Sequence, residues 1–565
     1  SMRKTILPIL FGCSLFLFSV AVAAQNCDGA LAQRDLAANN VRARLLTGGD
    51  LWWDGSGGRY IVPKTPIGTP EVAALFAGSL WLGGVDQAGN LKVAAQTYGR
   101  ATGRADYWPG PLDPALGNTN ENNCNNWDRF FNVRRDDIDG HIADFADNGQ
   151  IDNPIPARLR GWPGRGNPLF PDVHGFSLPN TNQFLAPFFD RDGDGIYDPR
   201  QGDYPDVKGD EANWWVYNDN GNIHSQSNGA PLKMEIQATA FAYTGGVGYL
   251  NNTTFYEYRL IYRGTAPVDS FFLGLWIDPD LGCYSDDYIG CRPEDLLGFA
   301  YNGDAFDQDC SGVSGYGNEI PIVGIKVLKP LERPNGQDAA PLSSFMYYLN
   351  AATGGTPSGA TDPNNLLEFY RYLTGHWRDG SSLARGGNGY QPGASAYPYA
   401  FDGSLANGQP WTECNANTAP GDRRFLMNFG PLTLQPGEIR EFAFAVVWVP
   451  NQAYPCPGLT ALEAEAEAVE NFYESLLVST PGEPAQPSRE IRLSPNPMWE
   501  SVLLQAGAPI REVYLFSAQG QLLQAHTGLD APSFTLRRQG LAAGVYFYRV
   551  VLEGSAGSSG RLVVW

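Results

Sequence analysis

A chain of 565 residues is longer than one ordinary hydrophobic core, so roughly two to four packed units are expected, and its 43% hydrophobic and 12% aromatic content excludes a disordered protein. Sixty-six glycines and 42 prolines favour strands joined by long turns over a helical protein. The formal net charge of −21, with no stripe of Lys and Arg against it, would repel phosphates, so no nucleic acid is expected as a partner.

Residues 1–24 read as a secretory signal peptide: a basic start at Arg3 and Lys4, an apolar run from Ile6 to Val22, and small residues at Ala21, Ala23 and Ala24. The run is short and contains Pro8, which disfavours a membrane anchor. Cys13 lies inside that run and serves as one of its apolar residues. The seven later cysteines are Cys27, Cys124, Cys283, Cys291, Cys310, Cys414 and Cys456, an odd number without CxxC spacing, so disulfides with at least one cysteine left over are expected in an exported chain. Cys283 and Cys291 are the expected local pair.

Residues 25–233 are read as a β-rich, long-looped N-terminal region. In it, ALFAGSLWLGG, VDQAGN and LKVAAQTYG spell a hairpin, after which Pro, Gly, Asn and Asp clusters interrupt the pattern between Arg100 and Pro231. Residues 234–477 are read as a β-sandwich domain ending in a helix. FYEYRLIYR alternates Tyr256, Tyr258, Leu260 and Tyr262 against Glu257, Arg259 and Arg263, and FFLGLWI and REFAFAVVWV are apolar enough for buried strands. The closing helix shows Leu462, Ala466, Val469, Phe472 or Tyr473, and Leu476 at helical spacing, with Thr460 and Glu463 as an expected capping box. Residues 478–487 form a Pro-rich linker, and residues 488–565 a separate domain whose seven Arg and five acidic residues reverse the charge balance of the body.

The stretch FFDRDGDGIYDPRQGDYPD holds six aspartates between Phe188 and Asp206. Asp190, Asp192, Asp194 and Asp198 stand at positions 1, 3, 5 and 9 of a calcium-type loop, with Gly195 at position 6 and the Ile196 carbonyl available at position 7. Such spacing lets alternate side chains converge on one hard cation while glycine permits the sharp turn. Position 12 is Gln201 rather than Glu, so the loop is closer to the DxDxDG loops of thrombospondin type-3 repeats than to a complete EF-hand, with Asp203 or Asp206 as a further ligand. The expected cofactor is Ca2+. The alternative is a solvated acidic turn.

A second acidic region gathers Asp278, Asp280, Asp286, Asp287, Asp304, Asp307 and Asp309, which fit a solvated loop, a second metal site or a polar ligand pocket. Trp276 and Tyr288 beside it suit either sugar stacking or core packing. Marks of common secreted enzymes are missing: there is no HExxH, GxSxG or P-loop, and His141, His174, His224, His376 and His526 are not spaced as a metal pair. A carboxylate-only glycosidase would leave no local motif; Glu235 and Glu257 are its candidates, and outward-facing strand residues are the competing reading.

The last 78 residues, with LSPNP at 493–497, VYLFSAQGQLL at 513–523, LAAGVYFYRV at 541–550 and a terminal GRLVV, resemble the type A C-terminal sorting domain of the type IX secretion system of Bacteroidota. Trp565 stands where that family more often has a basic end. The resemblance implies an Ig-like β-sandwich that delivers folded cargo to the outer-membrane translocon and is removed by its sorting peptidase, leaving the cargo released or attached to surface lipopolysaccharide. The body, through NNVRARLLTGGDLWWD, FAGSLWLGG, WIDPDLG, TGHWRDG and GDRRFLMNFGPLTLQPG, resembles large exported Bacteroidota proteins of unassigned activity. The expectation is therefore a mainly β protein: β-sandwich domains with long calcium-stabilised loops, one amphipathic helix and a C-terminal Ig-like β-sandwich. Its expected role is structural or binding, outside the cell or on its outer surface. A secreted glycan-active enzyme or carbohydrate-binding protein is the alternative.

Overall fold

The structure is a computed structural model; it describes residues 26–564 apart from 67–69, 100–102, 180–184, 245–247, 351–355, 407, 451, 453–457, 479–491, 495–497, 518–521 and 553–557. The expected signal peptide, nearly all of the expected linker and Cys456 lie outside the described residues.

The described chain is mainly β, and two antiparallel sheets face each other in its body. The smaller sheet orders its five strands as Leu342–Leu349, Arg423–Leu434, Val268–Asp278, Ala77–Asp86 and Leu91–Ala94. The larger has nine strands, running from Asp287–Arg292 through Leu297–Asn302, Ile322–Glu332, Ile439–Val449, Thr253–Tyr262, Met234–Ala242 and Glu211–Asn218 to Trp108–Pro109, with Phe131–Arg134 also on Glu211–Asn218. Alternation decides what each face meets, because successive strand residues point to opposite sides. On Thr253–Tyr262, Tyr256, Tyr258, Leu260 and Tyr262 enter the core between the sheets, where they meet Trp81, Trp276 and Phe444. Phe255, on the other face, packs with Trp214, Phe241 and Tyr473.

That second face is covered by helices, which makes the nine-stranded sheet the middle layer of three. The helix Thr460–Val478 buries Leu462, Ala466, Val469 and Tyr473 against it. The expected capping box gives way to a different arrangement: Thr460 is already the first helical residue, the Glu463 N–H donates to the Leu459 carbonyl (2.8 Å), and the Glu463 carboxylate accepts from Arg292 Nε (3.2 Å). Two further helices stand out, Arg135–Asn148 and Leu366–Leu373. The first has few apolar residues, burying only Ile138, His141 and Asp144, so its period was hidden in RDDIDGHIADFADN. The second is capped by Asn365, whose side-chain oxygen accepts from the N–H groups of Leu367 and Glu368.

The division expected between residues 233 and 234 falls inside a sheet: Glu211–Asn218 pairs along its length with Met234–Ala242, and Ala77–Asp86 pairs with Val268–Asp278. Strands from both sides of that point are needed to complete both sheets, so the body is one sandwich.

Cys283 is bonded to Cys310, not to Cys291 as expected. Asp287–Arg292 is a strand, and its pairing with Leu297–Asn302 fixes Cys291 in the core, where it is a buried free thiol. Cys27 joins Cys124 across 97 residues, and Cys414 is also disulfide-bonded. The C-terminal residues form a five-stranded antiparallel unit in which Ser501–Phe516 pairs with Arg492–Ser494, Leu522–Arg537 and Gly544–Leu552, and Ser558–Val564 closes on Gly544–Leu552. It has a core of its own around Val502, Leu504, Val513, Leu515, Val550 and Leu562.

Candidate functional site: two clusters of carboxylates

Phe188–Phe189 pairs with Tyr204–Pro205, so a short two-strand stem closes residues 190–203 into a loop. Phe189 and Tyr204 stack with ring centroids 4.8 Å apart at that stem. Buried Asp203 ties the loop across its base, one oxygen accepting the Arg191 N–H (2.9 Å) and the other the Asp198 N–H (2.8 Å). Above it, the Asp190 carboxylate accepts from the N–H groups of Gly193 (2.8 Å) and Gly195 (2.7 Å). Those glycines sit at φ of 75° and 76°, a left-handed conformation that costs a residue with a Cβ more than it costs glycine. The result brings one carboxylate oxygen each from Asp190, Asp192 and Asp194 within 4.8 Å of one another.

Of the other expected ligands, Asp198 and Asp206 go elsewhere. Asp198 is held by Arg200, which donates from Nε (2.9 Å) and Nη2 (2.7 Å), so an arginine two residues away takes the carboxylate that the spacing assigned to a cation. The Ile196 N–H donates to Asp194 (2.7 Å), keeping its peptide within the loop. Asp206 lies outside the cluster, lining a cavity with Lys208 and Glu257. Burial raises the pKa of Asp203, and the charges of Asp190 and Asp192 raise it further, against its two backbone bonds. The loop therefore concentrates negative charge that its own hydrogen bonds do not neutralise.

The second cluster forms where strands of the five-stranded sheet end together. Asp278 closes Val268–Asp278, Asp422 precedes Arg423–Leu434, and Asn350 follows Leu342–Leu349; since Ile277 is opposite Phe425 and Leu349 opposite Arg423, the three residues meet at one end of the sheet. Carboxylate oxygens of Asp278, Asp280 and Asp422 lie within 4.8 Å of one another. They line an open cavity of about 690 Å³ with Phe76, Tyr98, Tyr284 and Arg424. The Tyr98 hydroxyl donates to Asp278 Oδ2 (2.6 Å) and accepts from Arg424 Nε (2.8 Å). Arg424 also bonds Asp422, which accepts from Asn350 Nδ2 as well (2.8 Å). Burial, opposed by Arg424 and reinforced by Asp422, pushes the Asp278 carboxyl up to about 7. Burial and the charges of Asp278 and Asp422 hold Asp280 well above the usual carboxylate range.

The rest of the second acidic region divides by burial. Asp286, Asp287 and Asp307 are buried splints: Asp287 accepts from the Leu281 N–H (3.0 Å), Asp307 from those of Cys283 (3.0 Å) and Tyr316 (2.6 Å), and Asp286 from Gln308 (3.0 Å). Gly282 lies so close to Asp307 that a Cβ there would stand 1.9 Å from a carboxylate oxygen. Asp304 and Asp309 are exposed turn residues.

Neither Trp276 nor Tyr288 is free to stack on a sugar. Trp276 is fully buried, stacks on Trp81 and donates to the Tyr348 hydroxyl (2.8 Å); Tyr288 is buried and donates to the Thr418 carbonyl (2.5 Å). Glu235 and Glu257 are not outward-facing. Glu235 is buried in an ion pair with Arg263 (2.8 Å), and Glu257 accepts from Lys208 (2.8 Å) and the Tyr473 hydroxyl (2.6 Å) beneath the helix. His141, His174, His224 and His376 each bond a backbone carbonyl or a threonine hydroxyl, as packing histidines do. Sequence reasoning missed Asp422, Arg424 and Asn350 because they lie far along the chain from Asp278; the available signal was that DPD and GDRR both sit at the ends of strongly apolar strands.

Fold and sites together define a mainly β, disulfide-bonded protein with two oxygen-rich acidic clusters. No family model matches the chain, and no curated protein does. Among solved structures, a polysaccharide lyase aligns with 58% of this chain and 34% of its own, at 10% identity and a TM-score of 0.16. The chain thus matches about a third of that lyase, and a likeness of this size carries no argument about activity. No helix among the described residues is long and apolar enough to cross a membrane.

Proposed function

We propose that this is an exported structural or binding protein whose long-looped face is fixed by Ca2+, delivered to the outer surface or the medium through type IX secretion and held there or released once residues 488–565 are removed. The observation that carries the reading is the convergence of Asp190, Asp192 and Asp194 over two left-handed glycines, a set of hard oxygen donors that like-charge repulsion would otherwise spread apart. In this reading the Ile196 carbonyl completes the protein's share of the shell, while Asp198 stays with Arg200 and Asp203 positions the loop. The disulfides suit an oxidising compartment, and the separate core of the last domain suits a removable address.

Because an ion that binds only the folded state stabilises it by mass action, free calcium at a hundred times Kd contributes about 2.7 kcal/mol. A chelator should therefore lower the melting temperature of the purified protein, and Asp192→Asn with Asp194→Asn should shrink that response. Identical melting of the two proteins with and without chelator would refute calcium at this loop.

A further inference from the structure

We propose a second divalent-cation site, at the end of the five-stranded sheet, formed by Asp278, Asp280 and Asp422 and suited to a hard ion of the calcium class. It does not depend on the loop site, which lies in a different element.

Two independent observations carry it. The first is convergence: three residues from two distant segments place carboxylate oxygens within 4.8 Å of one another. The second is an orphaned acceptor. Asp278 is only 1% exposed, and although its Oδ2 accepts from Tyr98, its Oδ1 has no hydrogen-bond partner. Arg424 Nε approaches that oxygen at 3.4 Å but gives its hydrogen to the Tyr98 hydroxyl. A buried carboxylate oxygen without a donor costs free energy that a surface aspartate does not incur.

Charge then selects the ligand. Three carboxyl groups face the single guanidinium of Arg424, an acidic excess that a divalent cation offsets. The donors are carboxylates, with no imidazole or thiolate among them, which favours calcium or magnesium over zinc or copper. The cavity of about 690 Å³ in front of them leaves room for water or for oxygens of a bound molecule to complete a shell of six to eight.

The test is calcium titration by calorimetry on the full chain, in a background where Asp192→Asn and Asp194→Asn have disabled the loop. One calcium should still bind per chain, and adding Asp280→Asn, a shape-conserving change at a half-buried position, should abolish that remaining isotherm. A loop variant that binds no calcium, or an isotherm unchanged by Asp280→Asn, overturns the proposal. Should Asp280→Asn fail to fold, terbium luminescence of the loop variant excited through tryptophan reads the site beside Trp276: emission that calcium competes away supports the assignment, and no such emission refutes it. Equal stoichiometry for the wild type and the loop variant would sink the loop reading alone.

Discussion

Asp286 shows how a single carboxyl sets a pH dependence away from either cluster. Burial, then the charges of Asp307 and Asp304, push it up to about 7, against an ordinary 3.8 for aspartate. One oxygen accepts from Gln308 while the other has no hydrogen-bond partner, so the protonated acid suits this site better than the anion. Between about pH 4 and pH 7 the folded protein then holds a proton that the unfolded chain has lost, so this group's contribution to stability falls as pH rises through that window and levels off above it. Asp286→Asn mimics the neutral form. It should flatten the decline and gain on the order of 1 kcal/mol at pH 8 relative to pH 5 in urea denaturation. An unchanged pH profile would show that Asp286 is not protonated in the fold.

At the scale of elements, strands with a clear period were legible and segments held by non-local partners were not. The apolar runs of Val268–Asp278 and Ile439–Val449 mark strands buried on both faces, and the hairpin Ala77–Asp86 with Leu91–Ala94 follows from its turn. The helix Thr460–Val478 was visible in its spacing, although its first turn is fixed by Arg292 rather than by Thr460. Cys283 was misassigned because nearness in sequence stood in for nearness in space: the loop that reaches it carries Cys310, bridged by Asp307. The convergence of Asp190, Asp192 and Asp194 was readable because the three residues are local; the pairing of Asp198 with Arg200 was not, since the arginine competes within the same few residues. The cluster at the sheet end needed the register of strands more than 140 residues apart, which no local pattern contains.

For the whole molecule, the long-looped segments form the outer layer over a sheet that the sandwich holds from the other side, whereas the last domain has an independent core. Removing residues 488–565 should therefore leave a folded body, stranded in the periplasm of the producing cell if that domain is the export address. Recovery of the truncated body from the medium or the surface would contradict this. Calcium at Asp190, Asp192 and Asp194 should act on the outer layer alone, because local opening requires only the loss of its own ties. The most direct measurement is hydrogen exchange with and without a chelator, comparing residues 186–206 with the strands of the two sheets. Chelation should accelerate exchange in 186–206 while strands such as Thr253–Tyr262 and Ile439–Val449 stay protected. Equal protection of 186–206 in calcium and in chelator would contradict a metal-held loop.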